Sequence, residues 1–115
     1  VHVLLVEDHA DTRLILARLL SRWGHEVAEA ATVASAVSLL KKFRFDVLLS
    51  DIGLPDGNGL NVVATAVACG SARVKVALTA HGDAEDRDCG IRAGFDHYMT
   101  KPFDAARLKT VIERA

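Results

Sequence analysis

Three carboxylates, a hydroxyl and an ammonium stand where apolar runs of the chain end. Glu7 and Asp8 follow Val3-Leu4-Leu5-Val6, and Asp51 follows Val47-Leu48-Leu49-Ser50. Thr79 follows Val74-Lys75-Val76-Ala77-Leu78, and Lys101 follows a less regular run from Phe95 to Met99. If these runs are parallel strands of one sheet, their carboxyl ends share an edge and the five groups converge. Three like charges in one cleft repel unless a cation lies among them. Carboxylate oxygens, water and a backbone carbonyl make a hard-cation site, and Mg2+ suits it because it keeps waters and tolerates a phosphate ligand. The inventory therefore fits a divalent cation and a phosphoryl group. An acid just past a strand is also a common helix cap or turn former; it is the joint placement that points to a site.

The elements that must hold these groups alternate along the chain. Residues 2–7 are apolar on both faces, as a buried parallel strand is. Residues 10–23 predict a helix with Leu16, Leu19, Leu20 and Trp23 on one face and Gly24 to stop it. A short strand near 26–30 precedes a helix capped by Thr32 or Ser35 and carrying Val33, Ala36, Val37 and Leu40. Asp46 to Ser50 is strongly apolar, and residues 51–59 are dense in turn residues and read as a long loop, Asp56 and Asn58 among them. A helix with Leu60, Val63, Ala64 and Val67 inward ends near Gly70, and a strand follows over 74–78. The helix over 83–93 has a thin apolar stripe and contains Gly90, at a cost of about 1 kcal/mol relative to Ala. A strand over 95–99, a turn at Lys101-Pro102 and a helix over 104–114 with Leu108, Val111 and Ile112 inward complete the pattern.

Such alternation implies right-handed βαβ units and one α/β doubly wound domain, a five-stranded parallel sheet with five helices on both faces. Ligands of open sheets bind outside the carboxyl ends of strands where the strand order reverses. In the flavodoxin-like order 2-1-3-4-5 that point lies between strands 1 and 3, which end in Glu7-Asp8 and Asp51 and would lie about 4.8 Å apart.

Composition removes several classes of function. A chain of 115 residues, half of them hydrophobic, is expected to be a single domain with its own core. Its net charge of −1 and lack of a Lys/Arg run give no basis for direct contact with nucleic acid. No apolar run of about eighteen residues could span a membrane, and no basic leader with a cleavage site is visible, so a cytoplasmic setting without direct membrane contact is expected. Cys69 and Cys89 form no close metal-ligand pair and are expected to be reduced, partly buried thiols. With no initiator Met and a stop just after the last helix, the chain is expected to be a piece of a longer polypeptide.

Glu7-Asp8, Asp51-Ile52-Gly53-Leu54-Pro55 with Gly59 downstream, Thr79-Ala80 and Lys101-Pro102 stand in order, each at its own strand end. This set resembles the receiver (response-regulator, CheY-like) domain of two-component signalling over essentially the whole chain. The strand order 2-1-3-4-5 comes with that resemblance. So do the roles: Asp51 as phospho-acceptor, a carboxylate nucleophile forming an acyl phosphate, and Asp8 and Asp51 as direct Mg2+ ligands, with Glu7 acting through a water and Gly53 through its carbonyl. Lys101, with Mg2+, neutralises the phosphoryl oxygens. Thr79 donates its hydroxyl once Asp51 is modified, Ala80 leaves that approach open, and the ring of Tyr98 moves inward as Thr79 is drawn to the phosphate. The Lys101–Pro102 bond is expected to be cis, a form found in roughly 5% of X-Pro bonds. The implied partners are a histidine kinase or histidine phosphotransfer domain as donor and an output domain or downstream protein as reader. The face read is strand 4, helix 4, strand 5 and helix 5. Such a domain transduces signals and is not labelled an enzyme, although it catalyses its own phosphorylation and dephosphorylation. Gly53 and His81 fall where the family tunes phosphate lifetime, and the loop after Asp51 is similar to those of hybrid sensor kinases.

Each residue also has a plainer reading: Thr79 satisfying a backbone group, Lys101 as a solvated loop lysine, Tyr98 as a half-buried strand residue with a wet hydroxyl, and His9 as a surface residue at a helix start. Three other functions compete. A flavin-binding flavodoxin-like domain needs a Ser/Thr/Gly-rich cradle after strand 1, where Glu7-Asp8-His9-Ala10-Asp11 repels phosphate. A Mg2+-dependent phosphatase of the haloacid-dehalogenase type needs a second acid two residues after its nucleophile, and Gly53 stands there. A phosphate-independent docking receiver has no need of the intact acid set with Thr79 and Lys101.

Overall fold

The computed structural model describes residues 1–79, 84–101 and 104–114. The apolar runs pair in parallel as strands β1 (His2–Val6), β2 (Glu26–Ala30), β3 (Phe45–Asp51), β4 (Ala72–Thr79) and β5 (His97–Thr100), in the order β2-β1-β3-β4-β5. Between and after them run helices α1 (Ala10–Arg22), α2 (Val33–Lys42), α3 (Gly59–Cys69), α4 (Ala84–Ala93) and α5 (Ala105–Glu113). This is the flavodoxin-like arrangement expected.

Because side chains alternate along a strand, β1 feeds two cores. Val3 and Leu5 join Leu16 and Leu20 of α1 and Leu108 and Ile112 of α5. Leu4 and Val6 join Ala36 and Leu40 of α2 and Val62, Val63 and Ala66 of α3. Leu4, Leu16, Leu48 and Leu108 are fully buried, each contributing about 1.5–3 kcal/mol. At the sheet edge, β2 exposes Glu26 and Glu29, which pair with His2 and Arg13 respectively.

Helix ends follow local chemistry. Gly24 and Gly70 take φ values of 89° and 60° where α1 and α3 stop. Thr32 and Ser35 act together at the start of α2: Ser35 N donates to Thr32 Oγ1 at 3.1 Å, and Thr32 N donates to Ser35 Oγ at 3.3 Å. The long loop expected over 51–59 is a short hairpin, with Gly53–Leu54 antiparallel to Gly57–Asn58. Its polar residues do more than turn the chain. Asn58 Oδ1 caps α3 by accepting from Leu60 N at 2.9 Å and Asn61 N at 3.3 Å. Asp56 accepts from Val33 N at 2.7 Å and Ala34 N at 3.0 Å, at the head of α2.

Three other expectations are corrected. Helix α3 buries Gly59, Val62, Val63 and Ala66, while Ala64 and Val67 face outward. Nearly every residue there is apolar, so several faces fit the pattern, and close packing of Gly59 on Asp51 sets the rotation. Phe95 is buried ahead of β5 instead of within it, its N–H returning to Gly90 O at 3.1 Å as the tail of α4. Cys69 and Cys89 are free thiols as expected, but exposed. Cys69 is the last residue of α3, and Cys89 lies one position, about 100° around the helix, from buried Gly90.

Gly90 in α4 has a packing role that its helix propensity hides. A Cβ there would lie 2.8 and 2.9 Å from Cε2 and Cδ2 of the Tyr98 ring. Gly90→Ala is therefore expected to lower stability by about 1–3 kcal/mol in urea titrations, although alanine is the better helix former. A gain in stability would show that the ring yields freely.

Candidate functional site

The strand ends deliver the predicted residues to one rim. Glu7 leaves β1 with its N–H on Ala30 O at 3.0 Å, Asp51 is the last residue of β3, and Thr79 is the last residue of β4. Lys101 follows β5, and its N–H donates to Thr79 O at 2.7 Å. Its side chain then crosses the rim: Nζ donates to Glu7 Oε2 at 2.9 Å and to Asp51 Oδ2 at 3.1 Å. Carboxylate oxygens of Glu7, Asp8 and Asp51 lie within 4.8 Å of one another. The lysine is thus no solvated loop residue.

Burial grades the three acids. Glu7 is 1% exposed, Asp51 half-buried and Asp8 exposed. Backbone donors fix the first two: His9 N reaches Glu7 Oε1 at 3.2 Å, and Ile52 N reaches Asp51 Oδ1 at 2.7 Å. Burial pushes the Glu7 carboxyl above the ordinary carboxylate range; the Lys101 hydrogen bond opposes this and the charge of Asp51 adds to it. For Lys101, burial alone lowers the ammonium's pKa, but its bonds to Glu7 and Asp51 outweigh that, and the net shift is upward.

The donor set fits a hard divalent cation. Every candidate ligand in this cluster is a carboxylate oxygen, the preference of Mg2+ or Ca2+ and not of softer metals. Three carboxyl groups share this rim with one ammonium, an acidic balance that a divalent cation would offset. A cavity of about 400 Å³ lined by Val27, Leu39, Phe43 and Phe45 lies where the strands begin, away from these acids.

The other predicted residues divide. Thr79 is on the rim and buried. Gly53 opens the hairpin next to Asp51, its N–H 3.4 Å from Asp51 Oδ1. The Tyr98 ring is already buried beside Gly90 and Phe95, which replaces the half-buried reading. His9 is the exposed first cap of α1, as expected. Ala80, His81 and Pro102, and with Pro102 the expected cis bond, lie outside the described residues. Sequence reasoning missed Arg13, whose Nη1 donates to Glu7 O at 2.9 Å. Its place one turn into α1, six residues after Glu7, was the available signal.

Residues 3–113 match the family model described as the response regulator receiver domain. The chain is 37% identical over 118 residues to the phosphate regulon transcriptional regulatory protein PhoB of Klebsiella pneumoniae, covering 97% of this chain and 52% of that protein. It therefore spans about half the length of that relative. It is 32% identical over 114 residues to a 14.6 kDa protein in the sodA1 3' region of Leptolyngbya boryana, covering 97% and 87% of the two. Among solved structures, the receiver domain of sensor histidine kinase PA1611 from Pseudomonas aeruginosa PAO1 carries a magnesium ion coordinated in its active-site cleft. It superposes with a TM-score of 0.88 at 30% identity, covering 98% of this chain and 94% of that one.

Proposed function

Since the chain belongs to the response regulator receiver domain family, we propose that it signals by accepting a phosphoryl group on Asp51 from a partner's phosphohistidine. One observation carries this reading: Lys101 Nζ bridges Glu7 and Asp51 on a rim where Asp8 completes a carboxylate cluster. A carboxylate oxygen of Asp51 forms the new bond to phosphorus while the donor's P–N bond breaks. That electron pair leaves with the imidazole, which takes up a proton. Ile52 N–H on Oδ1 holds the carboxylate in orientation for this step. Lys101, already against Asp51, is within reach of the incoming phosphoryl oxygens, where fixed positive charge favours transfer. Asp8 and Asp51 would hold Mg2+ directly, Glu7 through a water and Gly53 through its carbonyl. When bound, the ion supplies charge neutralisation on those oxygens.

Thr79, on the same rim, donates its hydroxyl to the transferred group. The changed position of Thr79 is read through Tyr98, so that β4, α4, β5 and α5 form the responsive face. A phosphoryl group shifts that equilibrium only by its differential interaction with the two states. We take the domain to act as a signal transducer and not as an enzyme with an external substrate. Its donor is a histidine kinase or phosphotransfer domain, and its reader an output domain or downstream protein. Exposed, unpaired Cys69 and Cys89 suit a reducing, cytoplasmic setting. No described helix is long and apolar enough to cross a membrane.

The test is intact mass spectrometry after incubation with acetyl phosphate and Mg2+. A phosphoryl adduct is expected on the wild type and absent from Asp51→Asn. No adduct, or one that persists in the variant, overturns the assignment.

A further inference from the structure

We propose that Asp56 is a positioning residue of the acceptor loop, fixing the hairpin that carries Asp51 and Gly53 to the N-terminus of α2. The inference rests on the reading of Asp51 as phospho-acceptor and adds a residue and a helix to it. Asp56 is exposed, yet its two carboxylate oxygens take the amides of Val33 and Ala34, 23 and 22 residues upstream, at 2.7 and 3.0 Å. Thr32 takes the next amide, that of Ser35. The first three amides of α2 are therefore all engaged, two of them by a different loop.

An exposed helix end does not need such a partner, since water can satisfy its amides. What the contact fixes is the position of the loop. A carboxylate is the group best held there, by charge-assisted hydrogen bonds and by the positive end of the helix. Those same bonds keep the Asp56 carboxyl below its ordinary range, and therefore ionised.

From Asp56 the path to the acceptor is short and stiff. Asp56 lies in the turn of the hairpin, between Leu54 and Gly57, which face each other. Gly53 pairs with Asn58, Gly59 N–H donates to Ile52 O at 2.8 Å, and Ile52 N–H holds Asp51 Oδ1. Val33 Cγ2 lies only 3.3 Å from where a Cβ on Gly57 would be, so hairpin and helix are in close contact beyond the two hydrogen bonds. Coupling of this kind is reciprocal: a ligand that prefers the anchored loop also tightens the amides of Val33 and Ala34.

The experiment compares Asp56→Ala, Asp56→Asn and Thr32→Ala in the full chain. Thr32→Ala removes a cap from the same helix without touching the hairpin. In the metal-free protein, Asp56→Ala is expected to speed amide exchange at Gly59 by about tenfold through local opening, with Asp56→Asn in between and Thr32→Ala near wild type. With acetyl phosphate, the Mg2+ concentration for half-maximal labelling is expected to rise about fivefold to tenfold in Asp56→Ala, the lower end of ordinary allosteric couplings. It should be partly restored in Asp56→Asn and unchanged in Thr32→Ala. Unchanged exchange in Asp56→Ala, an unchanged Mg2+ requirement, or an equal effect of Thr32→Ala overturns the proposal. A wild type that takes no label overturns the reading of Asp51 instead, and the metal-free exchange arm still decides whether Asp56 anchors the loop.

Discussion

Lys101→Met is expected to reduce labelling of Asp51 by on the order of a hundredfold, the scale seen when one preorganised charge-stabilising donor is removed. Methionine keeps the apolar stem and deletes the ammonium. It leaves Glu7, 1% exposed, and Asp51 facing each other without their shared cation. Breaking a fully buried pair costs about 3–5 kcal/mol; with the Lys101 side chain 25% exposed, about 2–3 kcal/mol is expected here.

The loss should depend on pH in a defined direction. Burial raises the pKa of Glu7, so the folded protein holds this proton more tightly than the unfolded chain. Its contribution to stability is greatest below the unfolded carboxylate value and is lost as pH rises through the folded one. The pKa of Lys101 is raised on balance, so its contribution is complete below the unfolded lysine value and fades as pH passes the folded one. Without Lys101, Glu7 titrates higher still. The gap between wild type and Lys101→Met should therefore be small in acid and widest from neutral to mildly alkaline pH. Urea titrations across that range without divalent metal measure it, and a gap independent of pH would show that charge is not its cause.

Gly59→Ala is the second large effect. A Cβ at this position would lie 2.4 Å from the carbonyl oxygen of Asp51 and 3.1 Å from Cα of Ile52. Both are backbone atoms, so no side chain can rotate away. A loss at or above the upper end of the usual 1–3 kcal/mol for overpacking, roughly 3 kcal/mol or more, is expected. Labelling should fall with it, because moving that carbonyl moves Asp51, the proposed acceptor. Gly53→Ala is the control: nothing lies within 4 Å of its Cβ position, and it should be close to neutral in stability. Equal urea midpoints for the two variants would contradict the close approach of α3 to β3.

The central strands β1 and β3 were legible because they are buried on both faces, and unbroken apolar runs as short as Val3 to Val6 and Val47 to Leu49 suit a central parallel strand. The acids and Lys101 were legible because each terminates such a run, and strand ends in a parallel sheet share a rim. Three features were hidden for physical reasons. The inward face of α3 could not be read from a helix that is apolar nearly all round. The partner of Asp56 lies 23 residues upstream, in a contact no local turn pattern encodes. The cost of Gly90 as a helix residue was visible, but not that the ring of Tyr98 fills the space a side chain would take.

Among the described residues, strand β2 has a strand neighbour on one side only, so its outer edge faces any other polypeptide that runs alongside. An incoming strand would bring its own side chains next to Glu26 and Glu29, and charge at a sheet margin discourages such growth. Growth of the sheet at this edge is thus discouraged by two acids that lie outside the cluster of Glu7, Asp8 and Asp51. The edge and the rim are nonetheless linked, since Arg13, the partner of Glu29, also donates to the Glu7 carbonyl, so a change at Glu29 reaches the backbone that carries Glu7.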